Sequence, residues 1–96
     1  MQEGLQKDTR GELKVTTWSK GYSNTYHYQK TATKIDMLWS GEAVWEIDGT
    51  EVQVAAGDYV IVPPGIKTRI KNVLSDIIVV QTVKFPSIPD DKVVED

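Results

Sequence analysis

Few side chains in this 96-residue chain can carry chemistry. There is one histidine, His27, and no cysteine. The absence of cysteine excludes disulfides, Fe–S clusters, thiolate zinc sites and cysteine nucleophiles. A single imidazole excludes any site that needs two from one chain. His27 ionises near neutral pH when unperturbed, which makes it a candidate ligand contact or general base. The plainer role is a hydrogen-bonded interior residue. Lys34 and Asp36 lie two residues apart and share a face if the segment is a strand. They either neutralise each other or present a charged pair to a ligand. Lys67, Arg69 and Lys71 also alternate. Such a row can face phosphates, or it can be a solvated edge strand whose lysines block aggregation. The aromatic residues Tyr22, Tyr26, Tyr28, Trp39 and Trp45 suit core or interface packing, and the same rings could stack on a sugar.

Composition narrows the classes. A 10.8 kDa chain accommodates one domain, here residues 1–96, with little core to spare, so self-association is expected. The 40% hydrophobic and 26% charged content is that of an ordinary globular protein. The net charge is −3, and the surplus is local. Residues 1–89 hold ten basic and ten acidic side chains, whereas Asp90, Asp91, Lys92, Glu95 and Asp96 make an acidic end that reads as a solvated tail. A pI near 5.1 argues against nucleic-acid and anionic-membrane partners. No apolar run exceeds four residues and no export signal is visible, so a cytoplasmic location is the expectation.

The elements that must position these residues are strands. Val and Ile number twenty against eight for Leu and Ala, and nine Thr add to the β-branched total. Turn signals at Gly21, Ser40-Gly41, Asp48-Gly49, Gly57-Asp58, Pro63-Pro64-Gly65 and 72–76 divide the chain. The intervals predict strands near 13–18, 22–30, 34–39, 43–48, 51–55, 59–62, 66–71 and 77–84. Residues 1–12 read as an arm or edge strand and 85–96 as an extended tail, with Pro86 and Pro89 barring a central strand. Many short strands separated by turns mean an all-β sandwich or barrel. Asp48-Gly49 marks a tight hairpin with Ala43, Trp45 and Ile47 on one face.

Gly57, Pro63, Gly65 and Asn72 are spaced as in the second motif of the cupin superfamily, with Thr68 at the place of its histidine. Gly21, His27, Gln29, Lys34 and Gly41 match the spacing of the first motif. The glycines, His27 and the spacing resemble the family, but Gln29 stands for the second histidine and Lys34 for the glutamate. The two motifs cover residues 21–72. The resemblance implies a double-stranded β-helix, the cupin jelly-roll barrel. It also implies that His27, Gln29, Lys34 and Thr68 point into the barrel, with Asp36 on the same face as Lys34. A slip of one residue would instead turn Tyr26 and Tyr28 inward.

In metal-binding cupins these positions hold a divalent transition ion through three imidazoles and a carboxylate. Here a neutral amide, a hydroxyl and an ammonium replace three of the four. The expectation is a degenerate metal site with no cofactor, and a barrel that binds a small metabolite such as a sugar or a carboxylate. The alternatives are a metal-independent isomerase or lyase, with His27 and Lys34 as catalytic candidates, and a structural or regulatory dimer with a filled barrel. A Schiff-base role for Lys34 would need a depressed pKa. The expected partners are a small-molecule ligand and a second copy of the chain, since cupins commonly pair through a sheet.

Overall fold

The computed structural model describes residues 3–7, 10–88 and 90–95; for 3–7 only the backbone is considered. The strands are β1 (Glu3–Lys7), β2 (Glu12–Ser19), β3 (His27–Gln29), β4 (Thr33–Ser40), β5 (Glu42–Ile47), β6 (Thr50–Ala55), β7 (Tyr59–Val62), β8 (Thr68–Val73), β9 (Ile77–Phe85) and β10 (Lys92–Val94). They form two five-stranded antiparallel sheets, ordered β1-β2-β9-β4-β7 and β10-β3-β8-β5-β6. There is no helix among the described residues. Two antiparallel sheets with these long crossovers make the double-stranded β-helix that the spacing resembles.

Alternation decides what each sheet turns inward. From the first sheet, Leu38, Val60, Val62, Ile78 and Val80 are buried. From the second, Ala43, Trp45, Val54, Ile70 and Val73 meet them in one cluster. Each buried aliphatic side chain contributes roughly 1.5–3 kcal/mol. The hairpin forms as its sequence predicts. Ile47 pairs with Thr50, and both Asp48 (φ 49) and Gly49 (φ 82) adopt the positive φ of the turn. At Gly41 the φ is 87, and a Cβ would lie 2.5 Å from the Ile77 carbonyl oxygen. Only glycine fits this junction between β4 and β5.

Three expectations are corrected. The strand predicted over 22–30 is only His27–Gln29. Gly21 turns the chain, Tyr22 stacks on Trp18 with ring centroids 3.8 Å apart, and Asn24 takes over the role of a ladder residue. The Asn24 amide donates to the Ile70 carbonyl, and its side-chain oxygen accepts from the Ile70 amide at 2.8 Å. The basic row is not an edge, because β8 is the middle strand of its sheet. Its charges are met by acids: Lys67 by Glu95, Arg69 by Glu46 and Lys71 by Glu51.

The acidic end is not a free solvated tail. β10 pairs with β3, joining Lys92 to Gln29 and Val94 to His27. Asp91 is buried and accepts hydrogen bonds from the amides of Thr31 and Ala32. Burial pushes its carboxyl pKa up, but those amide donors outweigh burial and hold it below the usual carboxylate value. Phe85 and Ile88, by contrast, stay partly exposed.

Candidate functional site

Three candidate residues meet on the barrel's inner surface. His27 comes from β3, and Lys34 and Asp36 come from β4. All three are buried, so the register is the one that turns Tyr26 and Tyr28 away from the interior. Lys34 Nζ donates to His27 Nε2 at 3.0 Å and lies 3.4 Å from Asp36 Oδ2. Asp36 also accepts from the Thr82 hydroxyl at 2.7 Å and, more weakly, from the Trp45 indole at 3.4 Å. These donors make the burial of a carboxylate tolerable.

The network assigns the tautomer of His27. Its Nδ1 lies 2.9 Å from the Thr25 carbonyl oxygen, which can only accept, so Nδ1 carries the proton and Nε2 offers its lone pair to Lys34. The imidazole pKa is lowered to about 4, first by burial and then by the Lys34 charge. His27 is therefore neutral at pH 7.

These residues border a cavity of about 330 Å³. That is at the small end for metabolite pockets. Its walls include Lys14, Thr16 and Trp18 of β2, Thr82 and Lys84 of β9, Arg69 of β8 and Lys92 of β10. Apart from Arg69, which belongs to the alternating basic row, the sequence motifs do not point to these residues as site candidates. A signal was available, because Lys14, Thr16 and Trp18 share one strand parity, and Lys84 and Thr82 share that of buried Val80. Two candidates do not join the wall. Gln29 and Thr68 are buried beside His27 but do not line this cavity, and Gln29 borders a second one near Ile88. Gln29 Nε2, Thr68 Oγ1 and Thr16 Oγ1 have no hydrogen-bond partner among the described residues.

The arrangement does not suit a transition-metal ion. Nε2 is the only lone pair His27 has left, and an ammonium is directed at it. Such a charge also repels a cation, by roughly 1 kcal/mol at 4 Å in water and several times more in a partly buried site. Among the described residues no three His, Cys, Asp or Glu converge as ligands.

The chain matches the family model for the cupin domain over residues 14–81. No curated protein matches it by sequence. Among solved structures it is similar to an uncharacterised conserved protein with a double-stranded β-helix domain from Klebsiella pneumoniae. That likeness has a TM-score of 0.87 at 18% identity and covers 98% of this chain and 83% of the other. It is also similar to KdgF from Halomonas sp., with a TM-score of 0.79 at 16% identity over 92% of this chain and 80% of that one. A single-substitution variant of Streptomyces PAC13, solved with uridine, gives a TM-score of 0.81 at 15% identity over 95% of this chain and 72% of that one. Pac13, a nucleoside dehydratase, gives a TM-score of 0.80 at 15% identity. At such identities the likenesses establish the fold alone. With a family match that spans most of the chain and a jelly roll built as the motif spacing requires, this protein belongs to the cupin family.

Proposed function

We propose that this cupin binds a small polar metabolite in its barrel without a transition metal. The observation that carries this reading is the joint presence of an open cavity and a fixed polar triad, His27, Lys34 and Asp36, on its wall. The Lys34–Asp36 pair would be expected to fill a purely structural barrel, but here it leaves the cavity beside it. Lys34 can turn its ammonium from Nε2 toward a carboxylate or sugar hydroxyl, and the freed imidazole nitrogen then accepts from a second hydroxyl.

The test is a thermal-shift screen against sugars, sugar acids and nucleotide sugars, with and without divalent ions. A ligand of the folded state raises the melting temperature by mass action. The expected result is a hit that is unchanged by chelator and lost in Lys34→Met. A hit that requires Mn2+, Fe2+ or Zn2+, or a stoichiometric transition metal in the purified protein, would overturn the reading.

The same geometry supports a second reading, a metal-independent isomerase or lyase. His27 Nε2 would take a proton from a carbon beside a carbonyl, and Lys34 would stabilise the resulting enolate oxygen. The 3.0 Å contact between the two groups favours this. The low pKa of His27 weighs against it, because a base near pKa 4 has little affinity for a carbon-bound proton. Binding is therefore the leading reading.

A cytoplasmic homodimer completes the proposal. The outer face of the first sheet carries exposed Met37, Trp39, Tyr59 and Ile61, and Met37 is paired with Tyr59 across the strands. A contiguous apolar face of this kind is suited to burial against a second copy. Sedimentation should give twice the monomer mass, and Trp39→Arg should shift it to the monomer. A monomeric wild type at micromolar concentration would remove the dimer from the proposal.

A further inference from the structure

The protein is acidic overall, yet the cavity is cationic. Five side chains on its wall are basic, Lys14, Lys34, Arg69, Lys84 and Lys92, against one carboxylate, Asp36. Some of this charge is already matched: Arg69 by Glu46 at 2.9 Å, Lys34 by Asp36 at 3.4 Å and Lys84 by Glu12 at 3.8 Å. Lys14 and Lys92 have no ion-pair partner among the described residues.

Strand pairing draws the lysines together. Lys84 of β9 lies between Glu12 of β2 and Lys34 of β4. Lys14 is two residues from Glu12 on the same strand face, and Lys92 enters on β10 beside Gln29. Their charges act on one another. Burial lowers the pKa of Lys84, and Lys14 lowers it further, with Glu12 opposing. Lys92 is exposed on one side, and its pKa is lowered by desolvation of the part facing the cavity and then by Lys14 and Lys34. A fold that gathers like charges at a cavity raises its own energy unless an anion joins them. The Thr16 hydroxyl, 3% exposed and without a partner, lies on the same wall two residues beyond Lys14.

We infer that Lys14, Lys84 and Lys92, with the Thr16 hydroxyl, form the seat for a phosphoryl group carried by the metabolite. This inference rests on the metabolite-binding reading above. Lys14 and Lys92, which have no ion-pair partner among the described residues, match the charge of a phosphate monoester, which is about −1.5 to −2 at pH 7. A carboxylate is planar and pairs best with the fork of an arginine, whereas ammonium groups from separate strands suit a tetrahedral oxyanion as point charges. The one arginine on the wall is already held by Glu46.

The experiment is calorimetric titration of the full chain at constant ionic strength and pH 7.5 with inorganic phosphate, malonate and sodium chloride as probes. Saturable one-site binding of phosphate, tighter than malonate, is expected. Lys14→Met and Lys92→Met should each weaken it about tenfold, with circular dichroism and melting temperature confirming that both variants fold. Lys71→Met, whose side chain is held by Glu51 and lies off the cavity wall, should leave the affinity within about twofold. Binding that survives both lysine substitutions, malonate bound more tightly than phosphate, or no saturation by 10 mM phosphate would overturn the inference. A sugar or sugar acid that binds while phosphate does not would sink the phosphoryl seat and leave the metabolite reading standing. Failure of every ligand together with phosphate would sink both.

Discussion

Replacing Asp36 with alanine is expected to destabilise the protein by about 3–5 kcal/mol, the range for breaking a buried ion pair from one side. Asp36 is 6% exposed and holds Lys34, the Thr82 hydroxyl and the Trp45 indole. Alanine would leave the Lys34 ammonium buried with only the lone pair of neutral His27 to meet it. In a domain this small, the melting temperature should fall by more than about 12 °C. The double substitution Lys34→Met with Asp36→Leu should cost far less, because apolar pairs of similar volume often replace buried ion pairs at no net cost. Denaturant titration of the three proteins decides the matter. Equal destabilisation by the single and the double substitution would show that the pair is not acting as a unit.

The second large effect is a loss of stability in mild acid. His27 has a pKa of about 4 in the folded protein against 6.5 for the free side chain. Between those values the unfolded chain binds the proton and the folded one does not. Stability therefore falls as pH drops below about 6.5, with a slope of at most about 1.4 kcal/mol per pH unit, and the loss levels off below about 4. The total is about 3 kcal/mol, and above pH 6.5 the group contributes nothing to the slope. Unfolding free energies from urea titrations at pH 7.5, 6.5, 5.5 and 4.5 should show the fall in the wild type. His27→Gln keeps an acceptor for Lys34 but cannot titrate, so its profile should be flatter by the same amount. A wild-type profile that is flat from pH 6.5 to 4.5 would refute the assignment.

How far the sequence carried the argument depends on the range of the interactions. Asp48-Gly49 fixes its hairpin locally, so the residues alone put Ala43, Trp45 and Ile47 on one face, and that face meets the core. The cupin spacing brought His27 and Lys34 to one surface across a gap no local rule spans, and the structure has them in contact. The spacing also turns Gln29 and Thr68 into the interior, where both are buried. Gln29 borders the second cavity, however, and Thr68 packs opposite His27, so neither lines the first cavity. The lysine seat was not legible. Lys14, Lys84 and Lys92 are scattered along the chain and meet only because β2 pairs with β9 and β10 returns to β3. The acidic composition of residues 90–96 concealed that return, since a charge run resembles a solvated tail until a buried carboxylate such as Asp91 is seen capping two amides.

The shortness of β3 has a consequence for how a ligand gets in. This strand has three residues, pairs with β8 through His27 and Thr68 alone, and is bordered on its other side by a three-residue partner. Even with the Gly65–Gln29, Asn24–Ile70, Lys30–Asp91 and Glu95–Tyr26 backbone bonds at their flanks, β3 and β10 are held by fewer bonds than β2, β9 and β4, which are joined along their whole lengths. Amide hydrogens at 27–29 and 92–94 should thus exchange with solvent through local opening, well before those of β9. The part that opens carries His27 and Lys92, one from the polar triad and one from the cationic cluster. On the proposed metabolite-binding reading that wall is also the entrance, and a ligand bridging it to Lys34 and Lys84 should slow exchange there first.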